Sequence, residues 1–305
     1  MEYTNVIEGK GINKRYGKFV LDIPSLEVPK GFATALIGEN GAGKSTLMDI
    51  LTGILLDAKG DLKYFGEYSA KDRENSYDVK NRIGYVGSKG YYFPQWTIRE
   101  INDINKVLFD NYSEEKFMRL LNELSVFPNG GIDLKKKNSQ LSDGNQMKTM
   151  LAGVFARNTD MLILDEPASP LDPLMRDVLC QMIRSYVCEG NGDKSVLFST
   201  HNIADMENVT DYAIIIENGS IVESGFVEDL KEKYILVRGD AAQQEAISQH
   251  LYTVTASQFG FSGIMLSDDL DSIAGTGVVT EQATLSQICV AVMRHNTKLD
   301  YCPVI

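Results

Sequence analysis

The sequence is short of positive charge, of histidine and of long apolar runs. Its 30 Lys and Arg stand against 42 Asp and Glu, a formal charge of −12. Nucleic-acid binding draws its affinity from clustered cations, so no nucleic acid is expected as a main partner, nor is a polybasic membrane-surface role. The longest unbroken apolar run, Ile288–Met293, has six residues, against the ~18 that a membrane-crossing helix needs. No direct membrane span is therefore expected. Met1-Glu2-Tyr3-Thr4 carries no basic stretch followed by an apolar one, so a secretory leader is not expected either. The four cysteines, Cys180, Cys188, Cys289 and Cys302, form no CxxC pair and have no histidine at metal-ligand spacing. They read as free, mostly buried thiols of a reducing cytoplasm. Fixed-period repeats, proline-rich linkers and low-complexity tracts are also lacking.

What is present is an ordinary globular composition, 43% hydrophobic and 24% charged over 305 residues, enough for one large domain and a small one. Ala33–Ile37 reads as a short strand. Lys44–Leu56 has apolar residues at Leu47, Ile50, Leu51, Ile54 and Leu55, a helical spacing. Asp61–Phe65 and Arg82–Val86 read as strands, and Glu114–Leu124 as an amphipathic helix. Met161–Leu164 and Val196–Ser199, the latter apolar up to its closing serine, are short runs of the kind found in a sheet covered on both faces. Alternating strands and helices predict an α/β core with a parallel sheet. Composition changes near Lys231–Tyr234, and the order of elements beyond it suggests a small α+β domain of split βαβ type. We therefore expect a division into residues 1–233 and 234–305.

Gly38-Glu39-Asn40-Gly41-Ala42-Gly43-Lys44-Ser45 fits G-x-x-x-x-G-K-[ST] and joins a predicted strand to a predicted helix. Glycines let successive backbone N–H groups point at one anion, and the helix behind adds its positive end. Lys44 supplies a point charge for the β- and γ-phosphates, and the Ser45 hydroxyl can ligate Mg²⁺. A nucleoside triphosphate is the expected ligand, held by Gly38 through Thr46. A guanine-specific switch protein would carry N-K-x-D, whereas Asn13-Lys14 is followed by Arg15-Tyr16.

Further motifs resemble the ATP-binding subunits of ATP-binding cassette (ABC) transporters, over about residues 2–233. Leu162-Ile163-Leu164-Asp165-Glu166 resembles a Walker B strand ending in an acidic pair. The resemblance implies that Asp165 helps hold Mg²⁺ and that Glu166 polarises the attacking water. Two adjacent carboxylates at a strand end can divide those tasks. Leu141-Ser142-Asp143-Gly144-Asn145 resembles the family signature LSGGQ, departing from it at Asp143 and Asn145, and Gly144 stands 21 residues before Asp165. In the family Ser142 and Gly144 would meet the ATP held by a second subunit; locally, Ser142 could equally be a helix N-cap. Ser169-Pro170-Leu171-Asp172 resembles the D-loop. His201, 35 positions after Glu166, resembles the switch histidine that hydrogen-bonds the γ-phosphate, and Tyr16, 22 residues before Gly38, the aromatic that stacks on adenine.

One departure lies after Ile83–Val86, where the family's glutamine position holds Ser88. Tyr91, Tyr92, Phe93 and Trp96 follow within the segment that resembles a permease-docking loop, and such aromatics suggest an exposed apolar groove. The expected activity is therefore ATP hydrolysis with Mg²⁺ that powers a separate membrane permease subunit. By analogy with exporter ATPases for drugs or antimicrobial peptides the direction is export, and the working unit is an ATP-sandwich homodimer. Such a chain would be cytoplasmic, peripheral at the inner face of the membrane through its permease. A soluble ABC-type ATPase in a non-transport assembly is the alternative.

Overall fold

Leu21, Ile23, Leu26 and Val28 are buried along the second arm of a long opening hairpin, in which β1 (Asn5–Tyr16) pairs antiparallel with β2 (Phe19–Pro29). The computed structural model describes residues 3–127, 131–257 and 260–297. Strand β3 (Ala33–Ile37) is buried throughout and leads through the glycine-rich turn into helix α1 (Lys44–Thr52). The apolar spacing predicts a helix to Leu56. It stops at Thr52 because Gly53 takes the left-handed cap, its N–H donating to the Ile50 carbonyl. Strands β4 (Lys59–Tyr64) and β5 (Tyr68–Ser69) extend the hairpin into a sheet ordered β2-β1-β4-β5. Two short serine-capped helices, α2 (Ala70–Asn75) and α3 (Tyr77–Arg82), lead to β6 (Ile83–Val86).

A helical block follows, α4 (Ile98–Leu108), α5 (Glu114–Glu123) and α6 (Asp143–Phe155). Thr97, Ser113 and Ser142 cap them, each hydroxyl accepting a backbone N–H that the helix leaves without a partner. Then come β7 (Met161–Leu164), α7 (Pro173–Glu189), β8 (Ser195–Thr200), β9 (Tyr212–Glu217) and β10 (Ser220–Phe226). The main sheet is ordered β10-β9-β3-β8-β7-β6 and is parallel except for β10. Its side chains alternate between two cores. Leu162, Leu164, Val196 and Phe198 pack with the helical block and α7, whereas Met161, Ile163 and Leu197 pack with α1 and the antiparallel sheet. Burial on both faces is why these strands read as unbroken apolar runs.

After α8 (Val227–Lys233), strands β11 (Tyr234–Gly239), β12 (Leu251–Ser257), β13 (Gly260–Leu266) and β14 (Val279–Gln282) form a third sheet, antiparallel and ordered β12-β13-β11-β14. Helix α9 (Ala241–Ile247) lies between β11 and β12, a 3₁₀ segment over Ser267–Ile273 stands where a second crossover helix is expected, and α10 (Leu285–Thr297) closes the described chain. Val237, Ile247, Phe261, Met265 and Ile273 make a small cluster of their own. Helix α10 packs elsewhere: Leu285, Ile288, Cys289 and Val292 belong to the large core, with Ile203, Met206, Val209 and Leu230. The C-terminal elements thus serve two cores where a single small one is the simple expectation. Of the cysteines, Cys180 and Cys289 are buried but Cys188 is exposed; Cys302 lies outside the described residues. No described helix is long and apolar enough to cross a membrane.

Candidate active site

Strands β3, β8 and β7 are neighbours in the sheet, and the crevice at the carboxyl ends of parallel strands is where such sheets take ligands. From β3 the loop Gly38–Gly43 curls into α1, with Gly41 at φ 86° and Gly43 at φ 108°, left-handed values that a side chain resists. Gly43 is also crowded, since a Cβ there would lie 2.9 Å from Leu21 Cδ1. Glu39, Asn40 and Gly41 are exposed at the tip, while Gly38 and Ala42 are buried at its base. The Gly219 N–H supports the loop from outside, donating to the Ala42 carbonyl at 3.0 Å. Lys44 is buried, and its Nζ donates to the carbonyls of Gly38 at 2.8 Å and Glu39 at 3.1 Å. Ser45, exposed, and Thr46, half-buried, complete the first turn of α1.

Asp165 and Glu166 follow β7. The Asp165 carboxylate is buried and accepts a hydrogen bond from Ser199 Oγ at 2.6 Å. The same Ser199 oxygen accepts the Glu166 backbone N–H at 2.8 Å. Glu166 sits at φ 49°, a left-handed conformation that costs a residue with a Cβ ~1 kcal/mol or more. Its carboxylate bridges the site: Oε1 is 3.2 Å from Lys44 Nζ, and Oε2 is 2.8 Å from Nδ1 of His201. Lys44, Glu166 and His201 therefore form one continuous polar chain across the ends of three adjacent strands.

The oxygen donors beside this chain suit a small hard cation. Ser45 offers a hydroxyl and Asp165 a buried carboxylate. Asp49, four residues beyond Ser45 on α1, has its carboxyl raised above the ordinary range by burial and by the charge of Asp165, against the lowering effect of the Tyr85 hydroxyl. A divalent cation would relieve that negative field. Among the described residues no group of three His, Cys, Asp or Glu could hold a metal alone, so the remaining ligands would come from water and phosphate oxygens, the usual habit of Mg²⁺.

The other predicted residues stand apart from this cluster. Ser142 is the N-cap of α6, its Oγ accepting the Asn145 N–H at 3.3 Å, and it is exposed. A Cβ at Gly144 would lie 2.8 Å from the Pro170 carbonyl, so the start of α6 packs on the loop that follows Glu166. Among the described residues no hydrogen bond or ion pair links Ser142 or Gly144 to Lys44, Asp165, Glu166 or His201. Tyr16 is 47% exposed at the hairpin tip; its cross-strand partner Phe19 reaches Gly43, which puts Tyr16 at the rim of the loop. Ser88 and Gln95 are exposed. Tyr91 and Phe93 are exposed too, but Tyr92 is buried and its hydroxyl accepts a hydrogen bond from Asn105. The four aromatics therefore do not share one face, and Tyr92 is a core residue.

Two residues were given no role of their own in the reading of the sequence. Ser199 binds both acidic residues, and its only signal is a hydroxyl inside an apolar strand two positions before His201. Arg176 donates through Nε to the carbonyls of Ala168 and Leu171 and through Nη1 to Asp205, tying the loop after Glu166 to the segment after His201.

The sequence profile of the ABC transporter family matches residues 21–169. SrtF, a lantibiotic transport ATP-binding protein of Streptococcus pyogenes, is 32% identical over 217 residues, which cover 70% of this chain and 87% of that protein. The chain belongs to the ATP-binding protein family of ABC transporters. This cassette is also 30% identical over 233 residues to a Nod factor export ATP-binding protein I of Burkholderia orbicola, covering 75% of the chain and 73% of the relative. Against an energy-coupling factor transporter ATP-binding protein, EcfA2, of Methanospirillum hungatei it is 31% identical over 228 residues, 73% of the chain but only 55% of that relative. It thus spans little more than half the length of that last relative. In fold the cassette resembles the solved ATP-binding subunit of an ABC transporter, with TM-score 0.63 at 24% identity over 74% of this chain and 92% of the other. It also resembles the dimeric cassette MJ0796 bound to ADP and Pi, with TM-score 0.61 at 20% identity over 72% and 98%. The α/β core is that of an ABC ATPase.

Proposed function

We propose that this chain is the ATP-hydrolysing subunit of an exporter whose permease is a separate membrane protein, and that two copies work as an ATP-sandwich dimer at the inner face of the membrane. The observation that carries the reading is the chain Lys44–Glu166–His201 beside the buried carboxylate of Asp165. In this reading the loop Gly38–Thr46 and Lys44 hold the phosphates, and Tyr16 covers the adenine. Ser45 and Asp165 hold Mg²⁺, which when bound neutralises charge on the phosphate oxygens. Glu166 takes the proton of the attacking water, and His201 hydrogen-bonds the γ-phosphate.

The dimer is supported by the exposure of Ser142 at an N-terminal helix end with no link to its own Lys44, an anion site left open to another copy. Export is supported by the Nod factor export relative. The exposed Tyr91 and Phe93 supply the permease contact. Residues 234–305 we assign as an accessory domain that regulates or braces the dimer. The test is purification of the tagged chain from detergent-solubilised membranes. A multi-span membrane protein should be retained in stoichiometric amount and should stimulate ATP turnover; recovery of an active chain without any membrane partner removes the transport reading.

A further inference from the structure

Ser199 is fully buried in β8, directly after the apolar stretch Val196–Phe198. A buried serine usually satisfies itself on nearby backbone of its own segment. This one crosses to the next strand's end and spends both capacities there: its proton goes to Asp165 Oδ1 and a lone pair receives the Glu166 N–H. The arrangement has one polarity, because a carboxylate can only accept and a backbone N–H can only donate. Two residues further along the chain, just past the end of β8, His201 contacts the Glu166 carboxylate. Strand β8 and the residue after it thus grip Glu166 at both its backbone nitrogen and its side-chain end, around a peptide held at φ 49°.

We propose that Ser199 is a positioning residue for ATP hydrolysis: it fixes the rotation of the Asp165 carboxylate and holds the Glu166 peptide in its left-handed turn, so that the two carboxylates face the site in register. The inference rests on the roles given to Asp165 and Glu166 above. Without the hydroxyl, Asp165 loses a charge-assisted hydrogen bond and the Glu166 N–H is left without its acceptor. The Glu166 peptide is then free to relax toward right-handed backbone, which swings its carboxylate off the line to His201. Phosphate binding by Gly38–Lys44 uses neither the Ser199 hydroxyl nor the Glu166 N–H, and should persist although Lys44 also pairs with the Glu166 carboxylate.

The test uses the full chain with Ser199→Ala and Ser199→Thr beside Glu166→Gln and Asp165→Asn. Readouts are kcat, KM for ATP, the Mg²⁺ concentration at half-maximal nucleotide affinity, the thermal transition, and amide hydrogen exchange over residues 160–170. Ser199→Ala should lower kcat by about tenfold or more with KM within about threefold. The Glu166 amide should exchange about tenfold faster while Leu162–Leu164 stay protected, and half-maximal affinity should need more Mg²⁺. Ser199→Thr, which keeps the hydroxyl, should restore protection at Glu166 and most of the turnover. If Ser199→Ala retains wild-type kcat and unchanged exchange at Glu166 while Glu166→Gln and Asp165→Asn lose turnover, the inference is overturned and the assignment of the carboxylates stands. Near-native turnover in Glu166→Gln removes the assignment instead. Should Ser199→Ala lack a thermal transition, the threonine variant decides: folded with the Glu166 amide unprotected, it overturns the proposal.

Discussion

Lys44 Nζ lies 3.2 Å from Glu166 Oε1, so the cation assigned to phosphate and the base assigned to water are paired with each other. Bound ATP must part them, because the phosphate oxygens and Glu166 compete for one ammonium group. Replacing Glu166 by Gln removes that competition and leaves the loop intact. We predict that Glu166→Gln binds ATP as tightly as the wild type or up to about tenfold tighter, since a partly buried ion pair is lost. Turnover should fall about a hundredfold, ~2.7 kcal/mol in barrier. Fluorescent-nucleotide titration and phosphate release measure the two effects, and size-exclusion chromatography should show an ATP-dependent dimer. Weaker ATP binding in the variant would mean that Glu166 helps to build the phosphate site.

Metal dependence should follow Asp165 and not Ser88. Ser88 is exposed beyond the end of β6, and its hydroxyl is about two bonds shorter than the glutamine amide of the family pattern, so any link to a metal would need a bridging water. Ser88→Ala should cost less than about tenfold in turnover, under ~1.4 kcal/mol. Asp165→Asn removes a charge from a buried site and should cost at least ten times more, with a raised Mg²⁺ requirement. Gln95, exposed seven residues further along, is the one glutamine of this loop that a different path could bring to the metal, and Mg²⁺ titrations of both variants and of Gln95→Ala decide the matter. A severe Mg²⁺-dependent defect in Ser88→Ala alone would overturn the short-side-chain argument.

The phosphate loop and Asp165, Glu166 and His201 were legible because each stands at the end of a short apolar strand, and strand ends in a parallel sheet converge on one crevice. What stayed hidden depends on tertiary register. Nothing local says that Ser199 reaches Asp165, because that requires β7 and β8 to be adjacent with Leu164 opposite Phe198. Periodicity carried α1 past Thr52 because apolar spacing continues through Leu55, while Gly53 ends the backbone ladder regardless. Tyr92 looked like its aromatic neighbours, and only its packing against α4 and against Gly153 of α6 makes it core. The apolar run Ile288–Met293 was readable, but not which core it covers.

Arg176 should tolerate no exchange for lysine. Its Nε reaches the Leu171 carbonyl at 2.9 Å and the Ala168 carbonyl at 3.2 Å, while Nη1 holds Asp205 at 2.6 Å. A planar fork makes these bonds together, whereas a lysine ammonium has no donor at the Nε position. Arg176→Lys should cost about 1–2 kcal/mol of stability from two lost hydrogen bonds. Turnover should fall further than ATP affinity, because the loosened loop carries Pro170 against Gly144. Denaturant unfolding and steady-state kinetics check the split; equal losses in affinity and turnover would place the effect on the phosphate loop.

Glu207 joins the segment after β8 to the start of α10. Its carboxylate accepts the N–H of Leu285 at 2.9 Å and of Ser286 at 3.4 Å, satisfying the first turn of α10 and opposing its positive end. Burial, with the Glu207 charge adding to it, pushes the Cys289 thiol up to about 12, so it should resist alkylation near pH 8 while exposed Cys188 reacts. Glu207→Ala leaves two part-buried donors without their acceptor and should cost about 1–3 kcal/mol. Cys289 should then alkylate measurably faster, as mass spectrometry of the labelled peptides would show. Ending the chain at Tyr234 is the stronger test. It uncovers Ile203, Met206, Val209 and Leu230, at ~1.5–3 kcal/mol for each side chain fully exposed. The shortened chain should still bind ATP, since Gly38–Thr46 lies on the opposite face of the sheet from α10, but it should melt well below the full chain. An unchanged melting temperature would show that α10 rests on the core without completing it.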